Sequence, residues 1–259
     1  MNPLHHNRLA WNRECIASSV WSIPVDSETI TRARVGTWQV ILTPNLPVPR
    51  SWFGEIQGKS VLCLASGGGQ QAPILSAAGA IVISFDLSDE QLAKDRLVAD
   101  RDDLQLKCVQ GDMADLSYFA NDSFDLIFHP VSNVFVPDVV TVWRECHRVL
   151  RRGGALLSGF MNPVVFMFNH DEAEQTGLLK LRYSLPYSDL KSLEPEALQR
   201  KLADGEALEF SHSLDAQIGG QLSAGFVITG FYEDRWFDDS WLFSNHCPVA
   251  MATQAVKAR

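Results

Sequence analysis

The sequence predicts an α/β fold: a doubly wound, mostly parallel sheet in an αβα sandwich. Three observations carry that expectation. After Gly58, short apolar runs alternate with stretches of helical character. The first run stops at glycines and the second at Asp86. The stretches between the early runs are long enough for right-handed crossovers, which parallel strands require. Ligands of such sheets bind just beyond the carboxyl ends of the strands, which here means just after residues 64, 85, 109 and 128.

Each element follows from its residues. Ser60 to Leu64 is a short apolar run ending at a glycine cluster and reads as a buried strand. Gln70 to Ala78 reads as a helix. Ala80 to Phe85 is a second strand, closed by Asp86. Ser88 to Asp100 is a helix, with Ser88 as N-cap and Gln91 completing a capping box. Leu104 to Val109 and Phe124 to Phe128 are the third and fourth strands. Pro137 to Leu150 is a helix with a broad apolar stripe of Val140, Val142, Trp143, Cys146, Val149 and Leu150. Gly153 and Gly154 stop it, and Ala155 to Phe160 is the fifth strand.

Residues 1–58 read as an N-terminal extension or lid, with Trp11, Trp21, Trp38 and Trp52, and with a helix over Leu4 to Ile16. Pro44, Pro47 and Pro49 predict a linker over 43–51. The domain proper is then 59–259. Its polar stretch 162–210 reads as an insertion after strand five, placed over the site. A last helix is expected at Leu214 to Leu222, with strands at Phe226 to Thr229 and Val249 to Val256.

Composition narrows the function. The chain has 259 residues, of which 46% are hydrophobic, enough for a sizeable core. A net charge of −9 argues against a nucleic-acid partner, since phosphate contacts need clustered Lys and Arg. Arg144, Arg148, Arg151 and Arg152 form one local basic stretch, read as a solvated helix face. The five cysteines show no paired spacing, which predicts neither a metal site nor disulfides and fits a reducing cytoplasm. No signal pattern and no span long enough for a bilayer are visible, so no membrane role is expected.

The chemistry gathers at the strand ends. Ala65, Ser66, Gly67, Gly68 and Gly69 follow strand one, where glycines admit positive φ and close approach of a ligand to backbone. The helix after them offers N–H groups to an anion. Asp86 lies seventeen residues after Gly69, near the spacing of roughly 20 at which an acid meets a ribose hydroxyl pair. Each such bond to a charged acceptor contributes about 1.5–3 kcal/mol. Gly67-x-Gly69-x-x-Ala72 fits both a dinucleotide fingerprint and a methyltransferase nucleotide site.

Four stretches resemble the class I S-adenosylmethionine (SAM)-dependent methyltransferases, a Rossmann-like family. They are VLCLASGGG at Val61 to Gly69; Phe85-Asp86-Leu87; Gly111-Asp112-Met113; and FDLIF at Phe124 to Phe128, continuing through Pro137-Asp138 to WRECHRVLRRGGAL at Trp143 to Leu156. The resemblance covers residues 59–160. It implies SAM as cofactor and a small-molecule methyl acceptor. It implies cofactor contacts from Ala65, Ser66, Gly67, Gly69, Asp86 and Leu87, with Asp112 on the adenine amino group and Met113 against the ring. Cys63 stands where the family has an acid that serves the SAM amino group, and Ala65-Ser66 stand where it has Gly-Cys; Ser66 Oγ is then the expected substitute acceptor. Many relatives have a His-His pair where this chain has Val134-Phe135.

His129, just past strand four, is expected beside the methionine end of SAM and is the one weak candidate for a general base. Ser132 and Asn133 read as loop residues beside it. His5, His6, Asn7, Trp11 and Asn12 read either as part of a substrate lid or as a packed polar helix. Methyl transfer from a sulfonium needs no obligatory catalytic residue. A non-catalytic SAM- or nucleotide-binding regulator and an NAD-type oxidoreductase are the alternatives from this sequence.

Overall fold

In the computed structural model, Ser60–Leu64 forms the central strand β1, and its Val61, Leu62, Cys63 and Leu64 are fully buried. The structure describes residues 2–17, 19–236 and 241–258. Before β1 come two helices of the leader, α1 (Pro3–Ile16) and α2 (Ser27–Arg34). Helix α2 was not expected. Its start is set by Asp26, whose carboxylate caps the Thr29 N–H at 2.8 Å.

Beyond β1, the first crossovers follow the expected order. They are α3 (Gln71–Ala77), β2 (Ile81–Asp86), α4 (Asp89–Asp102), β3 (Leu106–Gln110) and β4 (Phe124–His129). Ser88 caps α4 through the Gln91 N–H at 3.1 Å. The capping box is not completed, because the Gln91 amide donates to Ser22 Oγ at 2.8 Å and the Ser88 N–H goes to Asp86 Oδ1 at 2.9 Å. Helix α5 (Val139–Val149) is capped by Asp138 and buries Val142, Trp143, Cys146 and Val149.

Strand β5 (Leu150–Met161) begins at the very end of α5, so Gly153 and Gly154 lie inside a strand rather than stopping a helix. They fall where the β4–β5 register shifts, and Gly153 has φ +81°. A bulge here needs a residue free to adopt positive φ. The insertion carries α6 (His170–Thr176), α7 (Asp189–Ser192) and α8 (Pro195–Asp204). A π-helical turn at Asp215–Gly219 runs into α9 (Gly220–Ser223), and the chain finishes with β6 (Phe226–Asp234) and β7 (Ala250–Lys257).

The sheet order is β3-β2-β1-β4-β5-β7-β6. The first five strands are parallel, while β7 runs antiparallel to β5 and β6. Apolar side chains cover both faces, one set under the α2 and α3 side and the other around Trp143 of α5. Such double coverage is what a parallel sheet requires.

The stretch expected as a linker is an exposed turn anchored in the core by Thr43 and Val48 and by the residues on either side of it. Val40, Leu42, Val48 and Phe53 are buried against β1, β4 and β5. The Leu42 carbonyl accepts the Val131 N–H at 2.9 Å, and a Cβ on Gly159 of β5 would meet that oxygen at 2.1 Å. Pro44, Pro47 and Pro49 shape a tight turn whose tip, Asn45 to Pro47, is exposed. Asp234 at the end of β6 holds that turn. Its Oδ2 accepts Thr43 Oγ1 at 2.7 Å and the N–H groups of Asn45 and Leu46 at 2.8 Å each. Asp234→Ala orphans these donors and should lower the unfolding free energy in urea by about 2–4 kcal/mol. A loss under about 1 kcal/mol would show that the turn does not depend on this carboxylate.

Candidate active site

The carboxyl ends of β1, β2, β3 and β4 open into one cavity of about 1320 Å³. Its floor is the turn after β1. Ala65, Gly68 and Gly69 have φ of +47°, +113° and +76°. That conformation turns successive N–H groups to fixed acceptors. Ala65 donates to Phe85 O at 2.7 Å, Gly67 to Asp86 Oδ2 at 3.0 Å, Gly68 to Gln91 O at 3.0 Å, and Gly69 to Asp95 Oδ1 at 2.7 Å. Ala65, Ser66 and Gly67 face the cavity. Ser66 is 4% exposed, and its Oγ has no hydrogen-bond partner in the protein. A buried hydroxyl left open at a cavity wall is ready to meet a polar ligand atom. A Cβ at Gly67 would meet Gln91 Cβ at 2.7 Å.

Gly69 does not reach the cavity. It is packed from outside by the leader: a Cβ there would meet Pro24 at 2.8 Å, and one at Gly68 would meet the Trp21 carbonyl at 2.5 Å. The Val25 N–H donates to Gly69 O at 2.9 Å, and the Gln70 amide binds Val20 O and Ile23 O. The last two glycines therefore admit close approach of the protein's own backbone, not of a ligand.

Asp86, at the end of β2, is half-buried on the cavity wall. Burial raises its pKa, against the bonds from Ser88 and Gly67 that lower it. A carboxylate has about four acceptor sites, so these two bonds leave room for ligand hydroxyls. Leu87, Gly111, Asp112 and Met113 line the same stretch of wall. Asp112 accepts the Ala114 N–H through Oδ1 at 2.9 Å, and burial raises its pKa as well.

His129 is fully buried beneath this wall and is not part of it. Its Nδ1 lies 2.9 Å from Leu64 O. A carbonyl only accepts, so Nδ1 carries the proton and Nε2 the lone pair. Nε2 has no partner, and Trp143 sits edge-on at 5.9 Å between centroids. Burial drives the pKa down to about 4. The expected place for His129 beside a ligand, and its role as a base, are both corrected by this burial.

The other candidates divide. Ser132 reaches the wall, whereas Asn133 is buried and bonded to Gln217. Asn7 fixes the leader to Phe135 O and Leu208 O, His6 binds Glu206 O at 2.8 Å, and Asn12 binds Ser88 and Asp89. Trp11 packs edge-on against Phe135, with centroids 5.0 Å apart, and both line the cavity. Val134 and Phe135 thus present apolar surface to the cavity.

Sequence reading missed Asp95. It is fully buried on α4, along one stripe with Leu92, Val98 and Ala99. An acid at an apolar-stripe position was the available signal. It also missed an aromatic chain of Trp21, Trp236 and Trp241, spaced at 5.9 and 5.2 Å, with His170 beside Trp241 at 5.1 Å. Nothing in local pattern brings 21, 170 and 241 together.

A glycine turn after β1, acids at the ends of β2 and β3, and a sheet whose last strand reverses define a methyltransferase architecture. Residues 62–158 match the family model described as a methyltransferase domain. The chain is 47% identical over 258 residues to an uncharacterized methyltransferase, YbaJ, of Bacillus subtilis (strain 168), covering 99% of this chain and 100% of that one. It is 30% identical over 183 residues to a ubiquinone biosynthesis O-methyltransferase of Aliivibrio fischeri, covering 66% of this chain and 76% of that one. The fold matches an S-adenosylmethionine-dependent methyltransferase of Mesorhizobium loti with a TM-score of 0.63 at 20% identity, covering 80% and 94% of the two chains. The chain belongs to the methyltransferase family, and its fold is that of the SAM-dependent members.

The buried histidine gives a pH prediction. His129 has a folded-state pKa of about 4 against an ordinary 6.5. The unfolded chain therefore binds the extra proton first, and the stabilisation, complete above 6.5, is lost as pH falls toward 4. His129→Gln should shrink the stability difference between pH 7 and pH 4.5 by roughly 2–3 kcal/mol in denaturant titrations. An unchanged difference would mean that the ring titrates as if exposed.

Proposed function

We propose that this cavity binds SAM along Ala65, Ser66, Gly67, Asp86, Leu87, Asp112 and Met113, and that the chain passes its methyl group to a small organic acceptor. One observation carries the reading. The wall that holds Ser66, Asp86 and Met113 continues, without a break, into a compartment lined by Trp11, Phe135, Phe166, Trp236 and Trp241. A cofactor half and an aromatic half within one cavity place two reactants side by side. Residues 1–58 supply Trp11 and the insertion 162–210 supplies Phe166, acting as lid and wall on the 59–259 domain, with Phe135, Trp236 and Trp241 completing the second half.

The residues present suit the cofactor. Asp86 has free acceptor sites for a ribose hydroxyl pair. Asp112 has Oδ2 available for an adenine amino group. Ser66 Oγ has no competing partner where the methionine end would lie. SAM, when bound, supplies a methyl group already activated by its sulfonium. Aligning that group and the acceptor can account for roughly 7–11 kcal/mol of the barrier. The aromatic walls exclude water, and His129 holds the turn through the Leu64 carbonyl without touching the reactants.

Charge narrows the acceptor. Among the described residues, every charged side chain on the cavity wall is a carboxylate: Asp86, Asp112, Asp138, Glu174 and Glu209. An anion would be desolvated there without a cation to meet it. A neutral or cationic acceptor fits, and a phosphorylated or nucleic-acid acceptor does not. The free cysteines are consistent with a reducing cytoplasm. No described helix is long and apolar enough to cross a membrane.

Calorimetric titration with S-adenosylhomocysteine tests the reading. Wild type should bind it and give no heat with NAD. Asp86→Ala should weaken binding at least tenfold, about 1.5–3 kcal/mol. Affinity within twofold of wild type, or binding of NAD in its place, would remove the assignment.

A further inference from the structure

The cavity-facing turn rests on a carboxylate that never reaches the cavity. Asp95 has no exposed surface and stands on the sheet-facing side of α4. Its Oδ1 accepts the Gly69 N–H at 2.7 Å, and its Oδ2 accepts the Ser84 hydroxyl at 2.5 Å. Ser84 lies in register between Cys63 of β1 and Cys108 of β3. The ionisable groups that act on Asp95 or feel it are Asp86, Arg96 and those two thiols, and none forms a salt bridge with it. Burial raises its carboxyl to about 7 and keeps both thiols protonated.

A buried acid without a paired cation is a costly choice for a position where leucine would continue the stripe. What it obtains there is specific. Gly69 sits at φ +76°, two residues beyond Gly67, in a turn bent by three positive φ values. Backbone strain of this kind persists only where surrounding bonds fix it. Asp86 takes the Gly67 N–H from the cavity side, and Asp95 takes the Gly69 N–H from behind. Cys63, next to Ser84 on β1, offers only a neutral thiol beneath the turn.

We propose that Asp95 is a positioning residue for the cofactor turn: its hydrogen bonds to Gly69 and Ser84 fix the backbone of 66–69 so that Ser66 Oγ and the Gly67 backbone face the ligand. The charged form binds the Gly69 N–H more strongly than the neutral form. The proposal rests on the reading of the cavity as the SAM site, and it makes Asp95 neither acid nor base in the reaction.

The test uses the full chain and S-adenosylhomocysteine as probe. Asp95→Ala should raise the dissociation constant tenfold or more at pH 8. In the ligand-free protein it should speed amide exchange at residues 66–70 while β4 and β5 stay protected. Asp95→Asn keeps an oxygen for Gly69 and an amide for Ser84, so it should fold and bind within threefold of wild type at pH 6. It should fall further behind at pH 8.5, where only the wild type gains the charge. Three results would each overturn the proposal: Asp95→Ala within twofold of wild type, a ratio between Asp95→Asn and wild type that is flat from pH 6 to 8.5, or faster exchange spread evenly over the sheet. If wild type itself binds no S-adenosylhomocysteine, the cofactor reading fails, and the exchange comparison alone still decides whether Asp95 fixes the turn.

Discussion

The backbone turn at 65–69 is the constraint on which the rest of the site depends. Four of its N–H groups are committed to acceptors on two separate elements: the Phe85 carbonyl and Asp86 on β2, and the Gln91 carbonyl and Asp95 on α4. Buried backbone donors must be paired, so this arrangement of donors dictates where the acceptors stand. The end of β2 cannot move without releasing Ala65 and Gly67, and the first turns of α4 cannot move without releasing Gly68 and Gly69. Ser66 is the point in this web whose hydroxyl remains open, and it faces the cavity.

The leader closes the web from outside. Trp21 to Val25 lies on Gly68 and Gly69 at backbone distance, and the Gln91 side chain that might have completed a local cap reaches Ser22 instead. Leu42 does the same at the other end, wedged against Gly159 and bonded to Val131. Three glycines and two leader segments thus join the extension to the sheet on either side of the cavity. The same leader carries Trp11 and Trp21 on the cavity wall, so one segment both lines the cavity and packs on the turn.

Much of this was legible in the residues, for a definite reason. The central strands β1 and β4 are largely buried apolar runs, β1 stops at glycines and β2 at Asp86, and that signal is local. The spacing from Gly69 to Asp86 is also local, because a crossover of fixed length connects the two strand ends. What sequence missed depends on tertiary partners. Prolines at 44, 47 and 49 signal a turn but not what anchors it, and Asp234, almost two hundred residues on, is what holds it. Gly153-Gly154 signals a break in regular structure but not whether the break falls in a helix or a strand. His129 follows a strand end like a site residue, yet its ring turns under the sheet toward Trp143. Gly69 shares the glycine signal of its neighbours and serves the leader. Asp95 left a trace in an apolar stripe, and only the fold shows what it holds.

The most direct test is a crystal structure with S-adenosylhomocysteine bound. The account predicts ribose oxygens within hydrogen-bond distance of Asp86, a ligand atom on Ser66 Oγ, and the adenine against Met113. It also predicts Gly69 still bonded to Asp95 and covered by Pro24. Ligand density away from the 65–69 turn, or a turn that binds ligand only after releasing Asp95 and the leader, would contradict it.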